Sequence, residues 1–146
     1  MIRKVFAVVL ALFLGGVFNM MLVTVSQNVY PFPENVDPND LESLKTYVEA
    51  NGMATGALLI VLAAHAGGSL VSGLICGIIA KRVWIAAAVG MGIFWMCGGL
   101  MMLSILPSPV WFAVADTLLY VPAAIVGVMV GGQLFKPQTT EAVTGD

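Results

Sequence analysis

The chain has 146 residues, of which 60% are hydrophobic and 10% are charged, and its formal net charge is -2. A mean hydropathy of +0.98 excludes an ordinary water-soluble domain of this size, so we expect a lipid bilayer to surround most of the chain. The few basic residues form no patch that would neutralise phosphates, which excludes a nucleic-acid partner.

The first apolar run predicts a membrane-spanning helix over residues 5–26. Arg3 and Lys4 precede it, and its ~22 residues suffice to cross a hydrocarbon core about 30 Å thick. A signal peptide has the same charge pattern, but no small-residue cleavage site of the A-x-A type follows the run. We therefore expect this segment to be the first span.

Residues 28–52 are the one long polar segment between apolar runs, and we expect them to form the first outer loop. A single cation, Lys45, stands among five carboxylates, Glu34, Asp37, Asp40, Glu42 and Glu49. Their spacing matches no calcium-binding loop, so a solvated acidic face is favoured over a cation site.

A short amphipathic helix is predicted inside this loop. Asp37 before Pro38 is a suitable N-cap with proline at the first helical position, and Gly52 can end the helix. Between them, apolar residues recur at helical spacing and form one stripe that predicts a helix lying flat on the outer mouth of a bundle: Leu41, Leu44 and Val48.

The second predicted span, residues 53–80, has one face of small and mildly polar residues. His65, the only histidine of the chain, shares this face with Ser69, and Gly73 and Gly77 lie along its edge. In lipid, small residues allow a neighbouring helix to approach closely. We therefore expect Ser69, Gly73 and Gly77 to be helix-packing residues.

The third predicted span, residues 84–106, is rich in glycine and methionine and carries Cys97. Methionines in a membrane can bind copper, but no known ligand arrangement is present, so they are interpreted as apolar filler and no metal or cofactor is expected. Cys97 and Cys76 of the second span lie at different depths, so both are interpreted as small buried residues that do not pair.

The fourth predicted span, residues 110–135, begins after Pro107 and Pro109 break the preceding helix in a very short turn. It contains a carboxylate, Asp116, followed by Thr117. Gly127 and Gly131 form a second small pair for helix packing, either within one bundle or between copies of the chain. The polar tail, residues 136–146, is expected to be disordered.

The four spans predict an all-α, integral membrane four-helix bundle, which we treat as a single domain. Charge sets its expected orientation in the membrane. With four crossings, Lys45 lies on one side and the remaining cations on the other. By the positive-inside rule, both termini are then cytoplasmic, in the inner (plasma) membrane of a bacterium. The cytoplasmic cations are Arg3, Lys4, Lys81, Arg82 and Lys136.

Counting at ~1.5 Å per residue places an intramembrane polar centre about 21–28 Å from the cytoplasmic helix ends. Its candidate members are Asn19, His65, Asp116 and Thr117. Because a carboxylate in a bilayer costs about 2.5–3.5 kcal/mol, we expect Asp116 to have a partner, with His65 the first candidate. Alternatively, Asp116 caps the fourth helix and His65 bonds a backbone carbonyl or Asn19.

Several stretches resemble a family of small bacterial inner-membrane proteins with four helices and no assigned function. They are the YPFP and DPND stretches of the outer loop, the glycine-rich second helix ending in AKR, and the P-x-P-x-W-F turn. The resemblance implies the four-helix topology and supplies no site residues. The small multidrug resistance transporters also have four short helices, but they use a glutamate in the first helix, where this chain has Asn19.

Two functions remain open from the sequence. The first is a structural or regulatory membrane protein that binds another membrane protein or a second copy of itself. The second is a small oligomeric transporter or channel in which Asp116 and His65 handle protons or a cation. An enzyme is not expected, because no activated nucleophile, metal-ligand spacing or phosphate loop is present.

Overall fold

The computed structural model describes residues 2–134, which form five α-helices and contain no strand. Four of the helices are long and apolar enough to cross a membrane, namely α1, α3, α4 and α5. The prediction of an all-α chain with four apolar spans is thereby confirmed. The predicted tail, residues 136–146, lies outside the described residues. The helices are α1 (Ile2–Val29), α2 (Leu41–Asn51), α3 (Thr55–Ala80), α4 (Ile85–Ile105) and α5 (Val110–Gln133).

The short helix α2 begins later than predicted, because its N-cap is Asp40 and not Asp37. The Asp40 side chain accepts a hydrogen bond from the backbone N–H of Glu42. Asp37 instead accepts from the backbone N–H of Asn39 at 2.8 Å, a local turn that competes with helix formation. Gly52 ends the helix with a φ of 70°, a conformation that glycine adopts without strain.

The expected apolar stripe of α2 is buried in part. Leu44 and Val48 are buried, whereas Leu41 is 45% exposed. Leu41 and Leu44 both line a cavity between the helix ends, described below. Helix α2 therefore contributes to the wall of this cavity.

Helix α3 is the central element and packs against α1, α4 and α5. Along its contact with α5 the two backbones touch, because glycines leave no side chain between them. A methyl group on Gly73 would overlap the Ala124 carbonyl oxygen, and one on Gly127 would overlap the Leu70 carbonyl oxygen. Gly77 and Gly131 lie on the same contact, so all four expected packing glycines join α3 and α5 within one chain.

The two cysteines differ in burial, and the expectation for Cys97 was wrong. Cys76 is fully buried, whereas Cys97 is exposed, and neither forms a disulfide. Helix α4 packs through the face that contains Met91 and Gly92, and Cys97 lies on its opposite side.

Charges of opposite sign collect at the two ends of the bundle. At the chain-terminal end, Arg3 donates to the Ile79 carbonyl, and Lys4 and Arg82 lie 5.6 and 5.2 Å from the centre of the Trp84 ring. The opposite end is formed by the end of α1, helix α2 and the start of α3. Its acidic residues Glu34, Asp37, Asp40, Glu42 and Glu49 are exposed.

Candidate functional site

Helices α3 and α5 meet at three polar side chains in the interior of the bundle. Asp116 and Tyr120 lie one turn apart on α5, so their side chains share the face that packs on α3. His65 of α3 approaches them, with its Nδ1 atom 2.7 Å from Asp116 Oδ1 and 2.8 Å from the Tyr120 hydroxyl oxygen. Asp116 and Tyr120 are each 1% exposed, and the His65 side chain is 18% exposed.

The hydrogen bonds determine which histidine nitrogen carries the proton. The Tyr120 hydroxyl donates to Asp116 Oδ2 at 2.9 Å, so its hydrogen is not available to His65. We therefore assign a hydrogen to His65 Nδ1, which donates to Asp116 Oδ1. The second ring nitrogen, Nε2, makes no hydrogen bond to the described residues and is an acceptor in the neutral ring.

This arrangement can accept one proton without leaving a buried charge alone. Protonation at Nε2 converts His65 to an imidazolium ion whose Nδ1 is already bonded to a carboxylate. The pair is then neutral overall. In the unprotonated state, Asp116 keeps a negative charge that two donors stabilise.

A cavity of about 280 Å³ leads to this centre from the α2 end of the bundle. His65 and Asp116 both line it, which accounts for the partial exposure of the imidazole ring. Its walls are mainly apolar, and its polar lining residues nearest to α2 include Gln27 and Asn39. The main apolar lining residues come from four helices: Met20, Val23, Leu58, Val61, Met102, Leu103 and Phe112.

The other half of the bundle is packed with apolar side chains. Ala7 and Ala11 of α1 form a buried cluster with Cys76 and Met91. This cluster lies toward the end where Arg3 meets Ile79. The cavity and this apolar cluster therefore occupy opposite halves of the bundle.

Thr117 and Asn19 do not join the centre. The Thr117 hydroxyl donates to the Ala113 carbonyl of its own helix at 2.8 Å. The Asn19 side chain packs near Gly68, one turn from His65, and its Oδ1 atom is buried without a hydrogen-bond partner in the part of the chain that the structure describes. Counting residues along each helix predicted that these two side chains lie at a depth similar to that of His65 and Asp116. It could not predict the direction in which each side chain points.

Asp116 does not cap α5, because the N-cap is Pro109 and makes no side-chain hydrogen bond. The alternative of a capping carboxylate therefore does not describe the structure. Ser69, an expected packing residue one turn after His65, is fully buried, and its hydroxyl has no partner among residues 2–134.

Tyr120 is the member of the site that the sequence analysis missed. The available signal was its position four residues after Asp116, which places both on one helix face. The structure adds an observation on α4, where a methyl group on Gly99 would overlap the Tyr120 hydroxyl. Gly99 thus provides the space that Tyr120 occupies.

Replacing Gly99 by alanine is expected to destabilise the protein by about 1–3 kcal/mol, because the Tyr120 ring must move and its bond to Asp116 weakens. The neighbouring Gly98 is a matched control, since nothing lies within 4 Å of a methyl group added there. Gly98→Ala is expected to be neutral or slightly stabilising. Unfolding free energies in detergent micelles measure both, and equal values for the two variants would contradict the proposed packing.

Comparisons of the chain with protein-family models, with curated proteins and with solved structures found no match. The resemblance to small four-helix inner-membrane proteins stays a prediction. The interpretation of the site therefore depends on its own geometry.

Proposed function

We propose that the protein is a small multi-pass membrane carrier that takes up protons at the centre formed by Asp116, His65 and Tyr120. The observation that supports this most strongly is the cavity that reaches His65 and Asp116. A polar link that only holds two helices together needs no open path, and ionisable residues inside a membrane commonly mark proton or substrate pathways.

A carrier is favoured over an open channel because the cavity occupies only one half of the bundle. The buried cluster of Ala7, Ala11, Cys76 and Met91 fills the other half of the bundle. A carrier exposes its central site to each side in turn, and helices that touch through glycines can move against each other with little side-chain rearrangement.

We further propose that the chain ends are cytoplasmic, in the bacterial inner membrane, and that the cavity and α2 face the outside. The clustering of Arg3, Lys4 and Arg82 at one end, with the acidic residues at the other, supports this orientation. Lys136, which the sequence analysis placed on the cytoplasmic side, lies outside the described residues.

Proton uptake in liposomes tests the proposal. With a potassium diffusion potential, negative inside, and an internal pH dye, the reconstituted wild-type protein is expected to acidify the interior faster than protein-free liposomes do. His65→Gln keeps a hydrogen-bonding side chain but cannot take up a proton, so its rate should fall to the protein-free level. A wild-type rate equal to that of protein-free liposomes would overturn the proposal.

A second variant tests the cavity without changing the polar centre. Val61 lines the cavity one turn before His65, so phenylalanine at this position should fill the path to the imidazole. Val61→Phe is expected to reduce uptake at least about fivefold by excluding water from His65. Leu59→Phe introduces the same ring at a side chain that is 53% exposed, and it should leave the rate unchanged. Equal rates for both variants would contradict the assigned route.

A structural or partner-binding role is the second candidate, and one surface favours it. Helix α1 bears a shallow depression at Gly16, lined also by Leu12, Phe13 and Val17. A depression with glycine at its base suits close approach of another apolar helix, from a second copy or another membrane protein. If this role is correct, Gly16→Leu should lower the oligomeric mass measured in detergent and leave the unfolding free energy unchanged.

A further inference from the structure

We infer that the cavity binds an organic monovalent cation with an apolar body, of the class of protonated or quaternary amines that carry an aromatic group. The inference rests on the proposed function, since cation and proton would share the Asp116–His65 pair. It adds an organic cation to the proton as a ligand of that site.

The charge of the cavity selects for a cation. Asp116 and His65 are the titratable groups at its inner end, and among residues 2–134 no lysine or arginine lines it. When His65 is neutral, the inner end carries the one negative charge of Asp116, which is 1% exposed and therefore weakly screened. An anion would be repelled, and a neutral molecule would leave this charge unbalanced.

The walls select for an organic cation and not for a hydrated inorganic ion. Tyr30, Phe32 and Phe112 line the cavity, and aromatic faces attract ammonium groups within about 6 Å. Met20 and Met102 add polarisable apolar surface. Divalent metal ions need several converging ligands, and within residues 2–134 no three His, Cys, Asp or Glu side chains converge.

The mouth of the cavity also favours cations. The lining residues Phe32, Asn39 and Leu41 belong to the same segment as exposed carboxylates. Carboxylates around an opening raise the local concentration of cations and their rate of entry. The carboxylates next to the lining residues are Glu34, Asp37, Asp40 and Glu42.

Cation and proton should compete. With His65 protonated, the Asp116–His65 pair is neutral and the attraction for a second cation is lost. Binding of the organic cation is therefore expected to release a proton from His65 Nε2 to water. Affinity should rise as pH increases, because fewer protons then compete for the site.

Calorimetry on the purified full chain in detergent micelles tests the inference. The probe is benzyltrimethylammonium, and the matched control ligand is neopentylbenzene, which has the same shape with carbon in place of the charged nitrogen. At alkaline pH, the charged probe is expected to bind at least about tenfold more tightly than its neutral isostere. Titrations in buffers of different ionisation enthalpy count the protons released.

Variants locate the charge that binds the probe. Asp116→Asn should abolish the preference for the charged probe, whereas Glu49→Gln, which changes an exposed carboxylate that does not line the cavity, should preserve it. Phe112→Leu provides a second test if the Asp116 variant does not fold, because it should weaken the charged probe more than the isostere.

The inference is overturned if the charged probe and its isostere bind equally, if binding does not depend on pH, or if no binding is detected. Should proton uptake in liposomes still require His65 in that case, the proposed function stands and only the cation site is lost. If neither binding nor His65-dependent uptake is observed, both proposals fail.

Discussion

Replacing Asp116 by asparagine is expected to lower proton uptake in liposomes at least about tenfold. Asparagine can still accept a hydrogen bond from His65 through its oxygen, while its NH2 group can donate to the Tyr120 hydroxyl oxygen. It cannot balance the charge of an imidazolium ion, so protonated His65 becomes a lone charge in the bundle.

The neighbouring residue provides the control for this substitution. Thr117→Val removes a polar group of the same helix turn, but that hydroxyl bonds the Ala113 carbonyl of its own helix. Its uptake rate is expected to match the wild type. Loss of uptake in both variants, or in neither, would contradict a specific role for Asp116. Circular dichroism of each purified variant establishes that it is folded.

Alanine at both Gly73 and Gly127 is expected to destabilise the protein by more than about 3 kcal/mol, the largest effect on stability. Each added methyl group would overlap a backbone carbonyl oxygen of the facing helix, Ala124 or Leu70. Backbone atoms cannot turn aside as side chains do, so α3 and α5 must separate along their whole contact. Separation would also lengthen the hydrogen bond between His65 Nδ1 and Asp116 Oδ1.

Gly90→Ala serves as the control for the glycine pair. It lies in α4, and nothing is within 4 Å of a methyl group added there. Because alanine favours helix over glycine, this variant is expected to be as stable as the wild type or slightly more stable. A double variant that unfolds at the same detergent concentration as Gly90→Ala would show that α3 and α5 do not touch through their backbones.

Much of the architecture was predictable because hydropathy along the chain reports on the bilayer directly. Four apolar runs gave four helices, and the small-residue face of α3 predicted its close packing. The cost of burying Asp116 predicted a partner, and residue counting from the helix ends brought His65 to a similar depth.

The remaining features depend on directions that a sequence does not specify. Asn19 lies near the depth of His65 but packs against Gly68, and the Thr117 hydroxyl bonds its own helix. Counting at ~1.5 Å per residue places Tyr120 about 22 Å from residue 135, within the depth of the polar centre, but a tyrosine in an apolar helix does not by itself indicate a polar contact. The cavity is formed by loop residues together with several helix ends, so no single stretch of sequence indicates it.

The central claim is that His65 takes up a proton at Nε2, and the protonation state of this single histidine in a bilayer tests it most directly. Protein without a polyhistidine tag, labelled with ¹⁵N-histidine, gives one pair of ring nitrogen signals in solid-state NMR. In the neutral ring we expect a protonated Nδ1 and an unprotonated Nε2 that gains a proton as the external pH is lowered. A neutral ring protonated at Nε2, or signals that do not respond to pH, would contradict the account.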